Sequence, residues 1–323
     1  MNGGDVATID RIVQLSAGVR LLVFGFWTGA LPEVSRLHFR SVARALPADS
    51  RYILFTSNTV IPQSMQAVLD ADRIEVVPID FRRLMRAVGA APLIRWTPLS
   101  PCWPLAVWFA RRPGWSARLS WFCHHRTRRT TPRANVLLGG PPLHETLMSD
   151  YMRVVISSIV PGHTLYTDID VAFPRSLDWI FQFGSFAYRW ERFPYANNAL
   201  MSVTEGCGIK NGKLLALMKR EGTAKPWILL DDENCRNCGL DILSCDWIDP
   251  LWSRARLDGI KFSDFFTCTV RSSAELRYFK RQFNAVHWHN KWDKVPEPGS
   301  AYDLMLRELE SDAAVPALPR ELS

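Results

Sequence analysis

Three short apolar runs, separated by two segments with helical spacing, fill most of residues 20–80. The runs are 20–27, 51–56 and 74–79, and the helical segments are 32–45 and 60–69. Each run has the length of a strand and is apolar throughout, which is typical of strands that are buried on both faces. The order strand, helix, strand, helix, strand predicts an α/β fold with a mostly parallel sheet flanked by helices.

The second half of the chain continues with less regular elements. Residues 143–160 carry apolar side chains on one helical stripe, and Gly162 ends that helix just before another apolar strand. Further strands are predicted at 186–190, 199–203 and 284–288, and further helices at 213–219, 239–244, 274–280 and 302–309. The residues from 312 onward are expected to form a loose tail.

Two carboxylates, Asp168 and Asp170, follow the strand that begins near Leu165. The carboxyl end of a strand is where α/β folds bind ligands, so this Asp-x-Asp is placed at the candidate site. Two carboxylates beside a buried strand are unfavourable unless positive charge meets them. Mg²⁺ or Mn²⁺, shared with the phosphates of a substrate, would supply that charge. The triplet alone fits a strand that ends in a solvated acidic turn equally well.

Three further groups of polar residues fit one site together with the Asp-x-Asp. The first is an acid–base pair on one helical face, the second offers neutral amides for sugar hydroxyls, and the third offers an imidazole and a phosphate-binding cation. These groups are Asp150 with Arg153, Asn197 with Asn198, and His287 with Lys291. Taken singly, they also fit a surface helix pair, a turn and a satisfied buried histidine.

Four segments together resemble the glycosyltransferase family with the Asp-x-Asp sugar-binding region, which includes α-1,4-galactosyl- and α-1,4-N-acetylglucosaminyltransferases. The family's Ser-Asp, two residues, Arg pattern is matched by Ser149–Arg153, and its Tyr-x-Asp-x-Asp-Val by Tyr166–Val171. The late Ala285–Lys291 segment resembles the family's Ala-Val-His, and Phe26–Pro32 resembles its Trp-x-Gly and Leu-Pro entry. The resemblance spans about residues 20 to 310.

What the resemblance implies is a retaining transferase of the GT-A fold that uses a nucleotide-diphosphate sugar, with a UDP-hexose favoured, and a glycan or lipid-linked acceptor. It implies Mn²⁺ or Mg²⁺ on Asp170 and His287, with His289 in reserve, and on Asp168 unless Asp168 binds the ribose. Donor-sugar contacts are implied from Asp150 and Arg153. It further implies diphosphate contact from Lys291 and nucleotide contact from Trp27 and Thr28. Asp241 and Asn197 are the candidates for stabilising an oxocarbenium-like state.

The sequence departs from the family pattern in three places. Pro161-Gly162 stands where the family usually has Gly-Gly, and Gly239-Leu240-Asp241 stands where a Gly-Pro motif often lies. The segment 81–144 has no counterpart in the family. These departures bear on the donor and acceptor more than on the fold.

The segment 81–144 also holds the positive charge of the chain. It contains eleven arginines, five of the thirteen tryptophans and no lysine or acidic residue. The segment therefore carries a charge of +11 and the other residues together carry −4, which gives the net charge of +7. Arginine with tryptophan is typical of a surface that lies on anionic lipid. The same segment would also suit binding of an anionic acceptor, or it could form a basic face folded around its own tryptophans. Binding of nucleic acid is the least favoured interpretation.

These observations predict one GT-A domain over residues 1–311 followed by the tail 312–323. Within it, residues 20–80 are the nucleotide-binding half, 81–144 are an Arg/Trp-rich insertion, and 145–311 carry the Asp-x-Asp, acceptor and histidine segments. No apolar run is long enough to span a bilayer, and the polar first residues do not resemble a secretory signal. A cytoplasmic protein, peripheral on the cytosolic face of a membrane, is therefore expected.

Seven scattered cysteines favour reduced thiols over a disulfide scaffold. Cys235 and Cys238, with Cys245 or the His124-His125 pair, offer a less favoured zinc site, because no second Cys pair completes four ligands.

Two other functions fit parts of the sequence. A phosphatase of the haloacid-dehalogenase type also has a strand followed by Asp-x-Asp; Asp168 would be its nucleophile, Asp170 its acid–base, and Asp231-Asp232 its later acidic pair. That motif normally lies near the start of its domain, whereas about 160 residues precede it here. The other alternative is a non-enzymatic basic protein that binds membrane or nucleic acid.

Overall fold

The computed structural model describes residues 3–91, 142–190, 193–249, 265–267, 283–289 and 292–313. Most of the Arg/Trp segment, the helix predicted at 274–280, Lys291 and most of the predicted tail lie outside these residues.

Seven strands of the described chain form one sheet in the order β3-β2-β1-β4-β7-β6-β8. Two further strands, β5 and β9, pair antiparallel beside it. The strands are β1 (Leu21–Ala30), β2 (Ser50–Val60), β3 (Glu75–Pro78), β4 (Thr164–Thr167), β5 (Val171–Ala172), β6 (Phe186–Arg189), β7 (Asn197–Val203), β8 (Asp241–Ser244) and β9 (Val286–His287). The pairs β3-β2, β2-β1, β1-β4 and β6-β8 are parallel, so the prediction of an α/β fold with a mostly parallel sheet is confirmed.

Helices cover both faces of this sheet. They are α1 (Gly3–Gln14), α2 (Arg36–Ala45), α3 (Gln63–Ala71), α4 (Phe81–Ala87), α5 (Pro142–Ile159), α6 (Ile180–Phe183), α7 (Lys213–Glu221), α8 (Pro226–Leu229), α9 (Asp232–Cys238) and α10 (Ala301–Ala313). Alternate residues of β1 point into different cores: Phe24 packs into the core that includes α4 and α5, and Val23 into the core that includes α2 and α3. Burial on both faces explains the unbroken apolar run of this strand.

One element prediction is corrected by the structure, and one helix was not predicted. Residues 241–244 form β8 and not a helix; the helix of this region is α9, which precedes the strand. The side chain of Asp231 caps the start of α9 by accepting from the backbone N–H of Asn234, and Gly239 ends it with a φ of 68°. Acidic N-cap and left-handed glycine are the usual end signals of a helix. The polar segment before residue 15 also forms a helix, α1, which buries Ile12 against the sheet-covering core.

The strand β7 runs antiparallel to both of its neighbours. Because of this reversal, the first residues of β7 lie beside the last residues of β4, with Leu200 opposite Thr167. Residues that open β7 are therefore delivered to the same sheet edge as the Asp-x-Asp.

The buried side chain of His38 links the start of β5 to β2 through two hydrogen bonds. The Nδ1–H of His38 donates to the carbonyl oxygen of Val171 at 2.6 Å, and its Nε2 accepts from the hydroxyl of Tyr52 at 2.9 Å. Tyr52 lies so close to β1 that a Cβ at Gly25 would meet its hydroxyl oxygen at 2.5 Å. A side chain at position 25 would therefore displace the hydroxyl of Tyr52 from its hydrogen bond with His38.

Stability is expected to fall with acid because His38 is buried in its neutral form. Burial of the imidazole lowers the pKa of His38 from 6.5 to about 4, although the Val171 carbonyl and Asp170 act in the opposite direction. Between these two pKa values the unfolded chain binds a proton that the native protein does not, so the free energy of unfolding decreases as pH falls. The loss from this residue should reach about 2 kcal/mol near pH 5.

Urea unfolding of wild type and His38→Gln between pH 7 and pH 5 measures this effect. The variant loses stability at pH 7, but its stability should change less steeply with pH than that of the wild type. Equal pH slopes for the two proteins would show that His38 does not carry the effect.

Candidate active site

The Asp-x-Asp lies at the carboxyl end of β4, as the sequence predicts. The backbone N–H of Asp168 donates to the carbonyl oxygen of Ala199 on β7 at 2.8 Å, which continues the sheet pairing by one residue. The chain then turns into β5, where Val171 pairs with His287 of β9. The backbone N–H of Trp288 donates to the carbonyl oxygen of Asp170 at 3.0 Å, so β9 is fixed against the motif from both sides.

This pairing brings three side chains together that are far apart in sequence. Ligand atoms of Asp168, Asp170 and His287 lie within 4.8 Å of one another. The Nε2 of His287 lies 3.2 Å from Oδ2 of Asp170, but the approach lacks hydrogen-bond geometry. Asp170 and His287 are almost completely buried, whereas the side chain of Asp168 is 26% exposed and opens the group to solvent.

The three side chains fit a divalent cation. Two carboxylates and one imidazole form a mixed oxygen and nitrogen ligand set, which suits Mn²⁺ and tolerates Mg²⁺. A cation would also offset the burial of two carboxylates only one residue apart. Burial raises the pKa of Asp168. The guanidinium of Arg153 acts to lower this pKa, and the charge of Asp170 acts to raise it.

Arg153 links the long helix α5 to the Asp-x-Asp. Its guanidinium contacts Oδ1 of Asp168 at 3.0 Å and Oδ1 of Asp150 at 3.5 Å, and it lies 4.4 Å above the centre of the Tyr166 ring. The hydroxyl of Tyr166 donates to the same oxygen of Asp168. The guanidinium therefore balances two buried carboxylates at once, and the predicted contact of Asp150 with Arg153 is present but buried.

The amide that joins this group is Asn198 and not its neighbour. Arg153 donates to the backbone oxygen of Asn198 at 2.8 Å and also to its side-chain oxygen, and the amide nitrogen of Asn198 donates to Asp150 at 3.3 Å. The side chain of Asn197 instead accepts from the backbone N–H of Ala199 at 2.7 Å. Successive residues of a strand point to opposite faces, which explains why only one of the pair reaches Arg153.

A second group of possible ligands shares His287. Asp249, His287 and His289 also place ligand atoms within 4.8 Å of one another. Asp249 is fully buried; its carboxylate lies 2.9 Å from Nε2 of His289 and 3.6 Å from Nδ1 of His287, and accepts from the indole N–H of Trp190 at 2.8 Å. The hydroxyl of Tyr188 is 3.0 Å from Nδ1 of His287. Asp249 thus lies behind His287 on the side away from Asp170, where an orienting carboxylate is usual for a metal-binding histidine.

The two stacked imidazoles of His287 and His289 have opposite proton affinities. Burial lowers the pKa of His287, but Asp170 and Asp249 outweigh it, so the pKa lies well above its usual value. Burial and the neighbouring His287 cation lower the pKa of His289. Burial raises the pKa of Asp249, but His289 and His287 outweigh it and hold this carboxylate below its usual range. His287 is therefore the more basic imidazole of this pair.

Three further residues were predicted to contact the nucleotide or its diphosphate: Trp27, Thr28 and Lys291. Trp27 and Thr28 are in the last part of β1, beyond the level at which Phe24 pairs with Tyr166, and so lie toward the same sheet edge. The indole of Trp27 donates to the carbonyl oxygen of Ala30 at 2.9 Å and its ring packs on Trp292. Lys291 lies outside the described residues, so its contact with a diphosphate stays a prediction.

Asp241 is not brought to the site. It opens β8 opposite Phe186, the first residue of β6, and both strands run parallel to β4. Its exposed side chain therefore lies at the amino end of β8, whereas the Asp-x-Asp follows the carboxyl end of β4. The carboxylate that this part of the chain delivers is Asp249, which the sequence interpretation missed. Its position just after a strand that ends at the binding edge was the available signal.

The acidic pair needed by the phosphatase alternative is also elsewhere. Asp231 caps α9, and exposed Asp232 contacts Arg189. The cysteines considered for zinc do not join either group of possible ligands among the described residues. Cys235 and Cys238 are buried free thiols on α9, and burial raises their pKa values to about 12 and about 11.

Comparison with known proteins gives a likeness in structure only. No family model matches the chain, and no curated protein sequence matches it significantly. Mouse xyloside xylosyltransferase 1 is 11% identical with a TM-score of 0.38, and the match covers 86% of this chain and 99% of that one. An active-site mutant of LgtC is 13% identical with a TM-score of 0.42, covering 93% and 98%. The bifunctional glycosyltransferase WbbM is 9% identical with a TM-score of 0.45, covering 92% of this chain and 51% of that one.

At this distance the likeness carries no activity, substrate or residue role over to the chain. Among the helices of the described residues, none combines the length and the apolar character needed to cross a membrane. The Arg/Trp segment on which the membrane expectation rests lies largely outside those residues.

Proposed function

We propose that this chain is a metal-dependent glycosyltransferase of the GT-A fold that moves a sugar, with retention, from a nucleotide-diphosphate sugar to a glycan or glycolipid acceptor. The observation that carries the proposal is the convergence of Asp168, Asp170 and His287 at the carboxyl end of β4. The pairing of β5 with β9 brings His287 to the two carboxylates and so assembles this group. Its members are too buried and too close together for a solvated acidic turn.

The charge pattern of the site suits departure of a nucleoside diphosphate. A divalent cation on Asp168, Asp170 and His287 would neutralise the charge that builds on the leaving diphosphate. Trp27 and Thr28 lie toward the same edge on β1, the side on which doubly wound folds bind a nucleotide. Asp150, Arg153 and Asn198 form a buried polar surface with donors and acceptors for the hydroxyls of the sugar.

The structure disfavours a phosphatase role for the same carboxylates. A nucleophilic Asp168 would have to attack through Oδ2, because its Oδ1 is held by Arg153 and Tyr166. Asp170 would have to exchange a proton with the substrate, yet it is buried against His287. Asp231 and Asp232 have structural roles on α9.

Thermal-shift titration with a panel of UDP- and GDP-sugars, with and without Mn²⁺, tests the proposal. One nucleotide sugar is expected to raise the melting temperature only when Mn²⁺ is present, because the diphosphate binds through the metal. Free nucleoside monophosphates and free sugars are the matched controls and should give smaller shifts. Absence of stabilisation by every nucleotide sugar, together with phosphate release from small phosphomonoesters, would replace the transferase by the phosphatase.

A further inference from the structure

A continuous row of aromatic rings runs outward from the histidines of the site. Beginning at His289, which stacks on His287 at 4.0 Å, the ring centres of successive neighbours are 5.3 to 6.4 Å apart. We call this set the aromatic row; its members are Trp190, Phe193, Tyr195 and Trp227. The first three are half-buried, and Trp227 is 45% exposed.

The outer end of the aromatic row returns toward the polar side of the site. Trp227 lies on the short helix α8, and Nζ of Lys225 is 4.8 Å from the centre of its ring. Burial lowers the pKa of Lys225 to about 8, and Asp150 is near enough to act in the opposite direction. The row therefore extends from His289, which stacks on His287, to Trp227 and the ammonium group of Lys225.

The rings are held in place by polar contacts as well as by one another. The indole of Trp190 is fixed by its hydrogen bond to Asp249. Tyr195 forms a backbone bridge to Asp231, and the next residue donates its N–H to the carbonyl of Leu230, which ties the row to the end of α8. Trp190 also packs against the core that includes α2 and α3, whereas Phe193, Tyr195 and Trp227 are not part of the described cores on either sheet face.

A saccharide is the ligand that such a surface fits. Sugar rings present flat faces of C–H groups that pack on aromatic rings, while their hydroxyls stay in water or meet polar side chains. The row is on the β6 and β7 side of β4, whereas Trp27 and Thr28, proposed for the nucleotide, are on the β1 side. The position of the row therefore separates this surface from the side proposed for the nucleotide.

We propose that the aromatic row is the acceptor subsite, and that the acceptor presents a saccharide whose ring packs on Trp227 and Tyr195 with its reactive hydroxyl directed toward the metal centre. This inference rests on the proposed transferase function and adds to it the place and the chemical class of the acceptor. Trp190 and Phe193 form the inner part of the same surface.

Saturation-transfer NMR with methyl glycosides of lactose, maltose, cellobiose and chitobiose tests the subsite on the whole chain. At least one disaccharide should receive saturation on its ring C–H protons. Trp227→Ala should weaken its binding on the order of tenfold, and Tyr195→Ser should also weaken it. Trp247→Ala is the matched control, because Trp247 is 52% exposed but packs on Phe183, outside the row. It should bind like the wild type.

Stabilisation of the same variants by UDP with Mn²⁺ separates the inference from the function on which it rests. Retained UDP binding with lost disaccharide binding in Trp227→Ala supports the acceptor subsite. Loss of UDP binding in Trp227→Ala would assign the row to the nucleotide and overturn the inference, as would the absence of disaccharide binding to the wild type. Disaccharide binding at Trp227 without any binding of nucleotide sugars would keep the saccharide site and remove the transferase.

Discussion

Replacement of Asp170 by asparagine is expected to abolish metal-dependent binding of the nucleotide sugar and to lower the transfer rate by about 10²–10³-fold. Asparagine keeps the shape of the side chain and removes its charge. Asp170 is the more deeply buried carboxylate of the pair and faces Nε2 of His287 at 3.2 Å. Without its charge, a cation would retain one carboxylate, on Asp168, whose charge is already shared with Arg153.

The measurement is the thermal shift with Mn²⁺ and the stabilising nucleotide sugar, followed by the initial rate of transfer. Asp178→Asn is the control, since Asp178 is an exposed aspartate whose carboxylate accepts from the hydroxyl of Ser176, away from the site. It should behave as the wild type in both assays. If Asp170→Asn retained full metal-dependent stabilisation, the cation would have to bind elsewhere, and the group formed with Asp168 and His287 would not be the metal centre.

Much of the site can be predicted from the sequence because its parts are encoded locally. The helix α5, the turn at Gly162 and the strand β4 follow one another within thirty residues, and each has its own apolar pattern. Asp150 and Arg153 share a helical face, and Asp168 and Asp170 follow the strand directly. The position of His287 beside the Asp-x-Asp cannot be predicted from a local pattern, because His287 reaches the motif through the pairing of β9 with β5.

The errors fall where tertiary pairing decides the outcome. The reversed direction of β7 leaves no periodic signal in the sequence, yet it brings the start of this strand, with Asn198, to the end of β4. The helix expected at 239–244 lies earlier, as α9, between its capping residues Asp231 and Gly239, and residues 241–244 form the strand β8. As a result, Asp241 lies at the amino end of β8, whereas Asp249 follows the strand and reaches the site. Asp249 and His289 contact each other across 40 residues, a separation over which spacing predicts nothing.

Replacement of Arg153 by methionine is expected to destabilise the protein by about 3–5 kcal/mol at pH 8, because it leaves buried carboxylates without their cation. Asp150 would keep its contact with Asn198 and the more distant charge of Lys225, and Asp168 would keep the hydroxyl of Tyr166. Methionine fills a similar length with apolar atoms, so the loss arises chiefly from charge and hydrogen bonds. Urea unfolding monitored by tryptophan fluorescence measures the difference.

The size of this loss should depend on pH in a definite direction. Burial raises the pKa of Asp150 to about 6 even with Arg153 beside it, and removal of the guanidinium raises it further. A carboxyl group whose pKa is higher in the folded than in the unfolded state stabilises the fold in acid, and this contribution is lost as pH rises through the folded pKa. The stability deficit of Arg153→Met should therefore be smaller at pH 5 than at pH 8.

Arg307→Met is the matched control for this variant. Arg307 pairs with Asp303 one helical turn away on α10, but its side chain is 63% exposed, so its loss should change stability by about 0.5 kcal/mol or less. A deficit for Arg153→Met as small as that of the control, or one that did not change with pH, would mean that water or a bound cation and not Arg153 balances the two carboxylates. The first result would leave the contact with the sugar as the main role of Arg153, because its charge would not be needed to hold the site together.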